Sequence, residues 1–322
     1  MTRQTFMGIG SAIGLGLLLV NLSAHAQNYP TKPVRIVTGA TGTAADYLAR
    51  YLGQRLNERW GQTMVVDNRA GAGATIAADI VAKAPPDGYT LLMGNISHSI
   101  SMTLYPKLRF DIVRDFAPVT SLAHGSFMLA AHPSLPARSV KELIAFARKR
   151  PGEVNVATAG AALQLSAKML DSMAGIKTTE VNYKSTPQAI TAVISGETSI
   201  GFPATSSAMP YARSGKLRAL AVTTPKRSAM APDVPTMSEA GVPGYDVTTW
   251  YGVLVPATTS NEVIARLNGA LVNTLTHPAV KERFAQTDLE PVYSTPEQFG
   301  AYIRGEVAKW AKVIKESGFR VE

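Results

Sequence analysis

The feature that most constrains the fold is a strand–loop–helix unit between Pro33 and Arg50, near the start of the chain. An apolar β-branched run from Val34 to Val37 gives way to small residues, and leucines then recur at helical spacing from Leu48 to Leu56. This change of period from two to about 3.6 predicts a strand, a tight loop and the start of a helix. A chain that opens in this way is typical of an α/β fold.

The loop of this first unit, Gly39 to Ala44, carries almost no side chain. Its two glycines let a ligand approach the backbone, and the free N–H groups of the next helix point into the same space with the positive end of the helix dipole. Such a loop predicts an anion site made of main chain. A βα connection that only turns a corner is the alternative, because the loop has no phosphate-binding fingerprint.

The same unit recurs along the chain. The short strand Met64 to Val66 is followed by the glycine loop Asp67 to Gly73 and a helix, and Thr90 to Gly94 is predicted as a further buried strand. Strands that alternate with helices at this spacing predict a parallel sheet with helices on both faces. In such sheets ligands bind at the carboxyl ends of the strands, which is where the opening loop lies.

A second region of the same kind begins at Val154. The strand Val154 to Ala157 leads into the small-residue loop Thr158 to Ala162 and then a helix, and this loop is the second predicted anion site. A chain of this length exceeds what one core usually supports, so we expect two lobes. The chain is predicted to cross between them near Phe127 and to return near Trp250, so that residues 27–126 plus 248–322 form lobe 1 and residues 127–247 form lobe 2.

Local signals predict further helices. Ser185 to Pro187 predict the start of a helix that ends at Gly196. After the return near Trp250 the remainder of the chain is predicted to be helical, with capping boxes at Thr259 to Glu262 and Thr295 to Gln298. One apolar helical stripe is predicted from Phe299, Ile303, Val307, Trp310 and Ile314.

The first 26 residues predict a secretory signal peptide. Arg3 precedes an apolar run from Phe6 to Val20, and Ala24 to Ala26 offers the small-x-small cleavage pattern. A retained membrane anchor is the weaker alternative, because the run is shorter than the ~20 residues that a spanning helix needs. The mature chain is therefore expected to be soluble and exported to the periplasm.

The composition limits the classes of function. There is no cysteine, which excludes thiol catalysis, and the net charge of +9 is scattered rather than clustered, which argues against nucleic-acid binding. The histidines His98, His124, His132 and His277 have no partner at metal-ligand spacing and are interpreted as loop or surface residues. No nucleophile elbow and no Walker loop is present, so we predict no catalytic residue, no metal and no cofactor.

Six segments of the chain resemble the Bug family, the tripartite tricarboxylate transporter (TctC-like) extracytoplasmic solute receptors. The resemblance covers essentially the whole mature chain and is carried by Tyr29 to Val37, Val65 to Gly73, Pro86 to Leu92, Arg114 to Val119, Gly215 to Thr223 and Pro232 to Gly241. It implies a two-lobe periplasmic binding protein type II fold, with each lobe a mostly parallel sheet flanked by helices. It also implies that two lobes close on a small carboxylate held by the backbone of one loop in each.

Two departures from the family pattern affect the predicted site. The family's first loop usually reads Pro-aromatic-x-Pro-Gly-Gly, whereas Thr38 to Thr43 here lacks the prolines and the aromatic residue. In the second loop Gly160 stands alone, and Gln164 lies near the position of a family histidine. The fold assignment does not depend on these positions, but the identity of the ligand does.

The resulting prediction is a monomeric periplasmic receptor that binds a small organic anion and delivers it to a permease in the membrane or to a sensor kinase. An exported enzyme on the same scaffold is the alternative. Several of the polar residues chosen here can equally be helix caps or turn residues. The predicted ligand-binding residues are Gly39, Ala40, Thr41, Gly42, Thr43, Ala44, Asn95, Ser97, Thr158, Ala159, Gly160, Ala161, Tyr183 and Phe202.

Overall fold

The computed structural model describes residues 29–320, so the predicted signal peptide lies outside the described residues. The strands are β1 Val34–Thr38, β2 Met64–Asn68, β3 Thr90–Asn95, β4 Phe116–Ser126, β5 Met128–Ala131, β6 Asn155–Thr158, β7 Thr179–Asn182, β8 Ile200–Gly201, β9 Arg218–Val222, β10 Thr248–Pro256 and β11 Leu289–Pro291. The helices are α1 Ala44–Trp60, α2 Thr75–Ala82, α3 Ile96–Leu104, α4 Val140–Lys149, α5 Ala161–Ala174, α6 Thr186–Ser195, α7 Thr205–Arg213, α8 Asn261–Thr276, α9 Pro278–Ala285 and α10 Pro296–Ser317. A short 3₁₀ turn, Ala72–Ala74, precedes α2.

The strands form two sheets, which define the two lobes named here. The sheet of lobe 1 has six strands in the order β11-β4-β10-β3-β1-β2, and the sheet of lobe 2 has five in the order β7-β6-β8-β5-β9. The expected α/β architecture with two sheets flanked by helices is confirmed. Three strands in each sheet are parallel, and the strands around the crossings are antiparallel, so both sheets are mixed.

The crossings explain the antiparallel pairs. β4 ends in the sheet of lobe 1 at Ser126, and β5 begins in the sheet of lobe 2 at Met128. β10 brings the chain back and pairs antiparallel with both β3 and β4. A strand that returns from the other lobe enters the sheet in the opposite direction to the βα units, and this makes the pairing antiparallel. The division at residues 126/127 and 247/248 remains our proposal.

The core follows the predicted apolar faces. One hydrophobic cluster joins α3 and α10 of lobe 1 to α5 of lobe 2, and it includes the α10 residues Phe299, Ile303, Trp310 and Ile314 from the predicted helical stripe. The capping box predicted at Thr295 is present, since Thr295 and Gln298 each bond the other's backbone N–H. No helix among residues 29–320 is both long enough and apolar enough to cross a membrane.

Three local predictions were wrong. The segment after β10 was expected to be wholly helical, but β11 pairs with β4 between α9 and α10. The cap of α8 is Ser260 rather than Thr259. His98 is fully buried rather than at the surface, because its ring packs at the start of α3 and bonds the backbone N–H of Asn95.

Candidate functional site

The loops that follow the parallel strands lie at one edge of each sheet. β1 is parallel to both β2 and β3, so the loops at Gly39, Arg69 to Ala74 and Asn95 share the carboxyl edge of lobe 1. β6 is parallel to β7 and β8, so the loops at Gly160 and Tyr183 and the start of α7 share the carboxyl edge of lobe 2. All the predicted ligand-binding residues belong to these loops or border them.

The first loop is organised by an internal carboxylate. Asp46, which is 4% exposed, accepts a hydrogen bond from the Gly42 N–H at 2.9 Å and another from the Asn68 amide at 2.9 Å. Arg50 forms an ion pair with the same carboxylate. Burial raises the pKa of Asp46, but these donors outweigh it and hold the pKa below its usual value. The positive end of the α1 dipole is therefore already compensated by the Asp46 carboxylate.

The remaining residues of that loop are ordered around the same helix start. Thr43 is the N-cap of α1 and its hydroxyl accepts the Asp46 N–H, so the capping alternative holds for this threonine. Gly39 is buried, whereas Ala40, Thr41, Gly42 and Thr43 are exposed and Ala44 is partly buried. Gly42 has φ +78, with open space where a side chain would stand. The exposed backbone of this loop is available to a ligand, although the Gly42 N–H is not.

Among the described helices of lobe 1, α2 is the one whose start has no side-chain cap. Ala74 is its N-cap residue, has φ 69 in the left-handed region and makes no side-chain hydrogen bond. A side chain at Gly39 would lie 3.1 Å from the Ala74 Cβ, so the first loop and this one are in contact. The sequence signal was the glycine pair Gly71 and Gly73, but the prediction did not include these residues in the site.

The start of α3 lies beside this loop. Asn95 caps α3 by accepting the Ser97 N–H at 2.9 Å, and the fully buried His98 completes a capping box. Burial lowers the pKa of His98 to about 4, so the ring is neutral. A Cβ at Gly73 would lie 4.0 Å from the Ser97 Cβ. The structure thus brings the loops of Gly39, Ala74 and Ser97 together in lobe 1.

In lobe 2 the start of α5 is likewise uncapped. Gly160 is its N-cap residue with φ 78, no side chain bonds the first N–H groups, and a Cβ at this position would have nothing within 4 Å. Ala159 and Ala161 flank it and are partly buried. Thr158, by contrast, is fully buried and donates to Glu180 at 2.9 Å, so its hydroxyl is occupied within the protein. The open donors of this lobe are therefore main-chain groups.

The two other predicted residues of lobe 2 differ in accessibility. Tyr183 is partly buried, and its hydroxyl donates to Glu197 at 2.8 Å. The ring of Phe202 is fully buried in the hydrophobic core. Periodicity alone could not separate a ring at the end of a buried strand from a ring that faces a cleft.

The two sets of loops lie close together because the helices that follow them pack across the lobes. α3 of lobe 1 contacts α5 of lobe 2. Ile96, the first residue of α3, and Leu163, in the first turn of α5, are both buried in the cluster that joins the lobes. The uncapped start of α5 is therefore on the same side of the molecule as the loops of lobe 1.

A separate cavity of about 760 Å³ lies beside β11, the edge strand of the lobe 1 sheet. Its walls come from both lobes: β11, the end of β4 and Tyr302 on one side, and the segment Thr224 to Pro232 on the other. None of the predicted ligand-binding residues lines it. The cavity is lined by residues of β11, β4 and β10, whereas the loops after β3 and β1 follow the next strands along the sheet.

The chain is similar to proteins of one family over most of its length. The family model described as "Tripartite tricarboxylate transporter family receptor" (TctC) matches residues 48–319. The protein BugT of Bordetella pertussis is 33% identical over 319 residues, which cover 97% of this chain and 98% of BugT. A UPF0065 protein from the tcbD-tcbE intergenic region of Pseudomonas sp. strain P51 is 32% identical, and the match covers 94% of this chain and 92% of that protein.

Solved structures show the same likeness. The Rpa4515 protein of R. palustris with adipate is 34% identical, has a TM-score of 0.79 and covers 90% of this chain and 98% of its own. The MatC protein of Rhodopseudomonas palustris with bound malate is 30% identical, has a TM-score of 0.76 and covers 89% of this chain and 100% of its own. The periplasmic binding protein BugD is 31% identical with a TM-score of 0.77, and covers 91% of this chain and 100% of its own.

Proposed function

This chain belongs to the TctC family of tripartite tricarboxylate transporter receptors, and from this premise we propose that it is a periplasmic receptor for a small organic acid with one or more carboxylates. The acid is held between the lobes by the loops at Gly39, Ala74 and Ser97 and the loop at Gly160. Adipate and malate, which two structural relatives bind, are both dicarboxylates and define the first class of ligand to test.

The observation that carries the proposal is an uncapped helix start in each lobe, α2 in lobe 1 and α5 in lobe 2. The helices α6 and α7 of lobe 2 also lack a side-chain cap, but α5 is the one whose first turn packs in the cluster that joins the lobes. Neither α2 nor α5 has a side-chain cap, and each begins at a residue with positive φ, so no side chain at the cap position accepts from the first N–H groups. A helix start of this kind favours an anion through its N–H groups and its dipole. A dicarboxylate has one carboxylate for each helix start, so both lobes would contribute to its binding.

The charges near the loops support main-chain recognition. Arg50 is paired with Asp46, and Arg69 is paired with Asp67 at 2.9 Å, so both arginines near the lobe 1 loops already have acidic partners. His98 is neutral and buried. The backbone amides, rather than a cationic side chain, are therefore the donors that this part of the structure offers to a carboxylate.

Delivery of the bound acid to a permease in the membrane, with a sensor kinase as the alternative partner, completes the proposal. The signal peptide predicted from the sequence would bring the mature chain to the outer side of the cytoplasmic membrane, where such a partner is reached. Closure of the two lobes on the acid would give the partner a surface that differs from that of the empty receptor.

The test is a ligand screen on the mature chain from residue 27. Thermal shift and calorimetry would be measured with adipate, malate, a tricarboxylate, a monocarboxylate and aspartate. An acid at ~100 times its dissociation constant stabilises the native state by roughly 2.7 kcal/mol, which is a readily measured shift in melting temperature. Stabilisation by an acid that is recovered unchanged supports a receptor.

Two results would contradict the proposal. Absence of a shift or of binding heat with every acid of the screen would exclude carboxylate binding of useful affinity. Chemical conversion of a bound acid, followed by NMR over hours, would assign the chain to the alternative class of exported enzymes.

A further inference from the structure

Asp288 has an unusual backbone conformation for its residue type. Its φ is 56, in the left-handed region that glycine adopts most readily. The residue lies in the turn that reverses the chain from α9 into β11, at the wall of the 760 Å³ cavity. A residue other than glycine keeps such a strained conformation only where its surroundings hold it. The contacts of the Asp288 side chain are therefore expected to stabilise this turn.

The Asp288 carboxylate is bonded on both oxygens. Ser126 donates to Oδ2 at 2.7 Å, and Ser228 donates to Oδ1. The hydroxyls of Ser126 and Thr205 lie 2.6 Å apart, and because Ser126 gives its proton to Asp288, Thr205 is the donor in that pair. Thr205 is fully buried and Ser126 is 6% exposed. Burial raises the pKa of the Asp288 carboxyl, and the bonds from Ser228 and Ser126 oppose that rise.

These bonds join the two lobes directly. Asp288 precedes β11 and Ser126 ends β4, and both strands belong to the sheet of lobe 1. Ser228 lies in the segment after β9, and Thr205 begins α7, so both belong to lobe 2. The contact stands beside the crossing between β4 and β5, where a small rotation of one lobe would separate the donor from the acceptor.

We propose that Asp288, together with Ser126, Thr205 and Ser228, is an interlobe latch that fixes the relative orientation of the lobes and so positions the ligand-binding loops. The inference rests on the proposed function for its effect on affinity, since the hydrogen bonds of the latch join residues outside the predicted ligand-binding set. Asp288 is thus a positioning residue that acts through the lobes. Its effect on binding follows from the fraction of molecules in which the loops face each other.

The size of the effect can be estimated from that fraction. The apparent dissociation constant of a receptor increases in inverse proportion to the population of its binding-competent state. If loss of the latch leaves roughly one molecule in ten in the competent orientation, the affinity falls about tenfold. A change in lobe orientation must accompany this loss, and a role in local stability alone would not produce it.

The experiment measures lobe orientation and affinity separately. The chain has no cysteine, so exposed Gln54 on α1 and exposed Ala145 on α4 can be changed to cysteine and spin-labelled, one in each lobe. Pulsed EPR then gives the distance distribution between the labels without any ligand. Adipate and malate titrations by calorimetry give the affinity of the unlabelled proteins.

The variants are chosen so that loss of folding does not decide the result. Asp288→Gly removes the carboxylate while suiting the positive φ, and Ser228→Ala removes the donor from lobe 2. Asp288→Asn keeps an oxygen that can accept from Ser228, so it should restore part of the effect. Glu290→Gln is the matched control, because Glu290 lines the same cavity and has no hydrogen bond or ion pair of its side chain in the described structure. Circular dichroism verifies folding of each.

The proposal expects Asp288→Gly and Ser228→Ala to broaden or shift the distance distribution and to weaken binding about tenfold, with Glu290→Gln unchanged in both. Distributions that superimpose on that of the wild type would overturn the latch. A shifted distribution with unchanged affinity would overturn its role in positioning the loops. If the wild type binds neither adipate nor malate, the titrations use the acid that the screen identifies. If it binds no acid of the screen, the proposed function loses its support, and the EPR distances still decide whether the latch exists.

Discussion

The carboxylate of Asp46 accepts a hydrogen bond from the backbone N–H of Gly42 at 2.9 Å, and so occupies the helix start that the sequence offered to an anion. The same carboxylate accepts from Asn68 and pairs with Arg50. The first loop is consequently held in shape by a charge of the protein, and the uncapped start of α2, which touches this loop at Gly39, is the anion site that we propose for lobe 1.

Asp46→Asn is expected to lower the free energy of unfolding by about 1–3 kcal/mol at neutral pH, because a buried charged acceptor with several donors is lost. The folded-state pKa of Asp46 is depressed, so its stabilisation is present above the unfolded pKa and disappears as the pH falls through the folded pKa. Urea unfolding at pH 7 and at acidic pH measures the free energy of unfolding of the variant and of the wild type. The difference between the two free energies should be smaller at acidic pH.

Glu58→Gln on the same helix is the control for this prediction. Glu58 forms an exposed ion pair with Arg55, and such pairs contribute little to stability because solvent screens them. Equal losses in the two variants would mean that Asp46 contributes no more than a surface ion pair.

Gly160→Val should reduce the affinity for the bound acid at least a hundredfold. A β-branched side chain would enter the open space in front of α5 and would strain a residue with φ +78. Gly175→Val is the matched control, since Gly175 ends the same helix with φ +59 and is far from its start. Calorimetry with the best acid of the screen compares them. Similar affinities in the two variants would exclude the start of α5 from the site.

Lys184→Gln should change the affinity less than about threefold, since an exposed charge contributes little to binding in water. Lys184 lies in the loop after β7 at the carboxyl edge of lobe 2 and is exposed. Calorimetric titration with the best acid of the screen measures the affinity of this variant. Complete loss of binding would show that a side-chain cation, rather than the backbone, holds the carboxylate.

Asp288→Asn should become more stable relative to the wild type as the pH rises. The folded-state pKa of Asp288 is raised by burial, so ionisation costs the folded state more than the unfolded state. The contribution of Asp288 to stability is therefore fully present below the unfolded pKa and falls as the pH rises through the folded pKa, and asparagine removes this dependence. Unfolding free energies between pH 4 and pH 7.5 measure the slope, and parallel curves for the two proteins would contradict the prediction.

Cleavage by signal peptidase is expected after Ala26, which leaves Gln27 as the first residue of the exported protein. The small-x-small pattern ends there, and the family-like segment begins two residues later. Mass spectrometry of the protein recovered from the periplasm tests the position. A mature mass that includes residues 1–26 would contradict both the cleavage site and the predicted location.

Local signals in the sequence were sufficient for most of the elements. The glycine that ends α6, the proline in its first turn and the capping box of α10 depend on residues within one or two turns of each other, so they are readable without the fold. β11 was missed because three residues carry no periodicity, and pairing with β4, far away in the sequence, makes them a strand.

The candidate site was only partly accessible to the same reasoning. Gly39, Ser97 and Gly160 were predicted from loop composition, and the structure places them at the carboxyl edges of the two sheets. The buried ring of Phe202 and the occupied hydroxyl of Thr158 could not be foreseen, because burial and hydrogen-bond partners depend on neighbours from other elements.

The sequence by itself determined the α/β class, the repeated βα units and the glycine loops at their strand ends, because period, capping and left-handed turns are local properties of the chain. The tertiary structure alone decided which helix starts remain open and how the lobes are joined. Asp46 fills one helix start through a contact within its own turn and with Asn68, whereas Asp288 reaches Ser228, 60 residues away in the chain. Contacts of that separation form only when the lobes fold together, and no local pattern in the sequence encodes them.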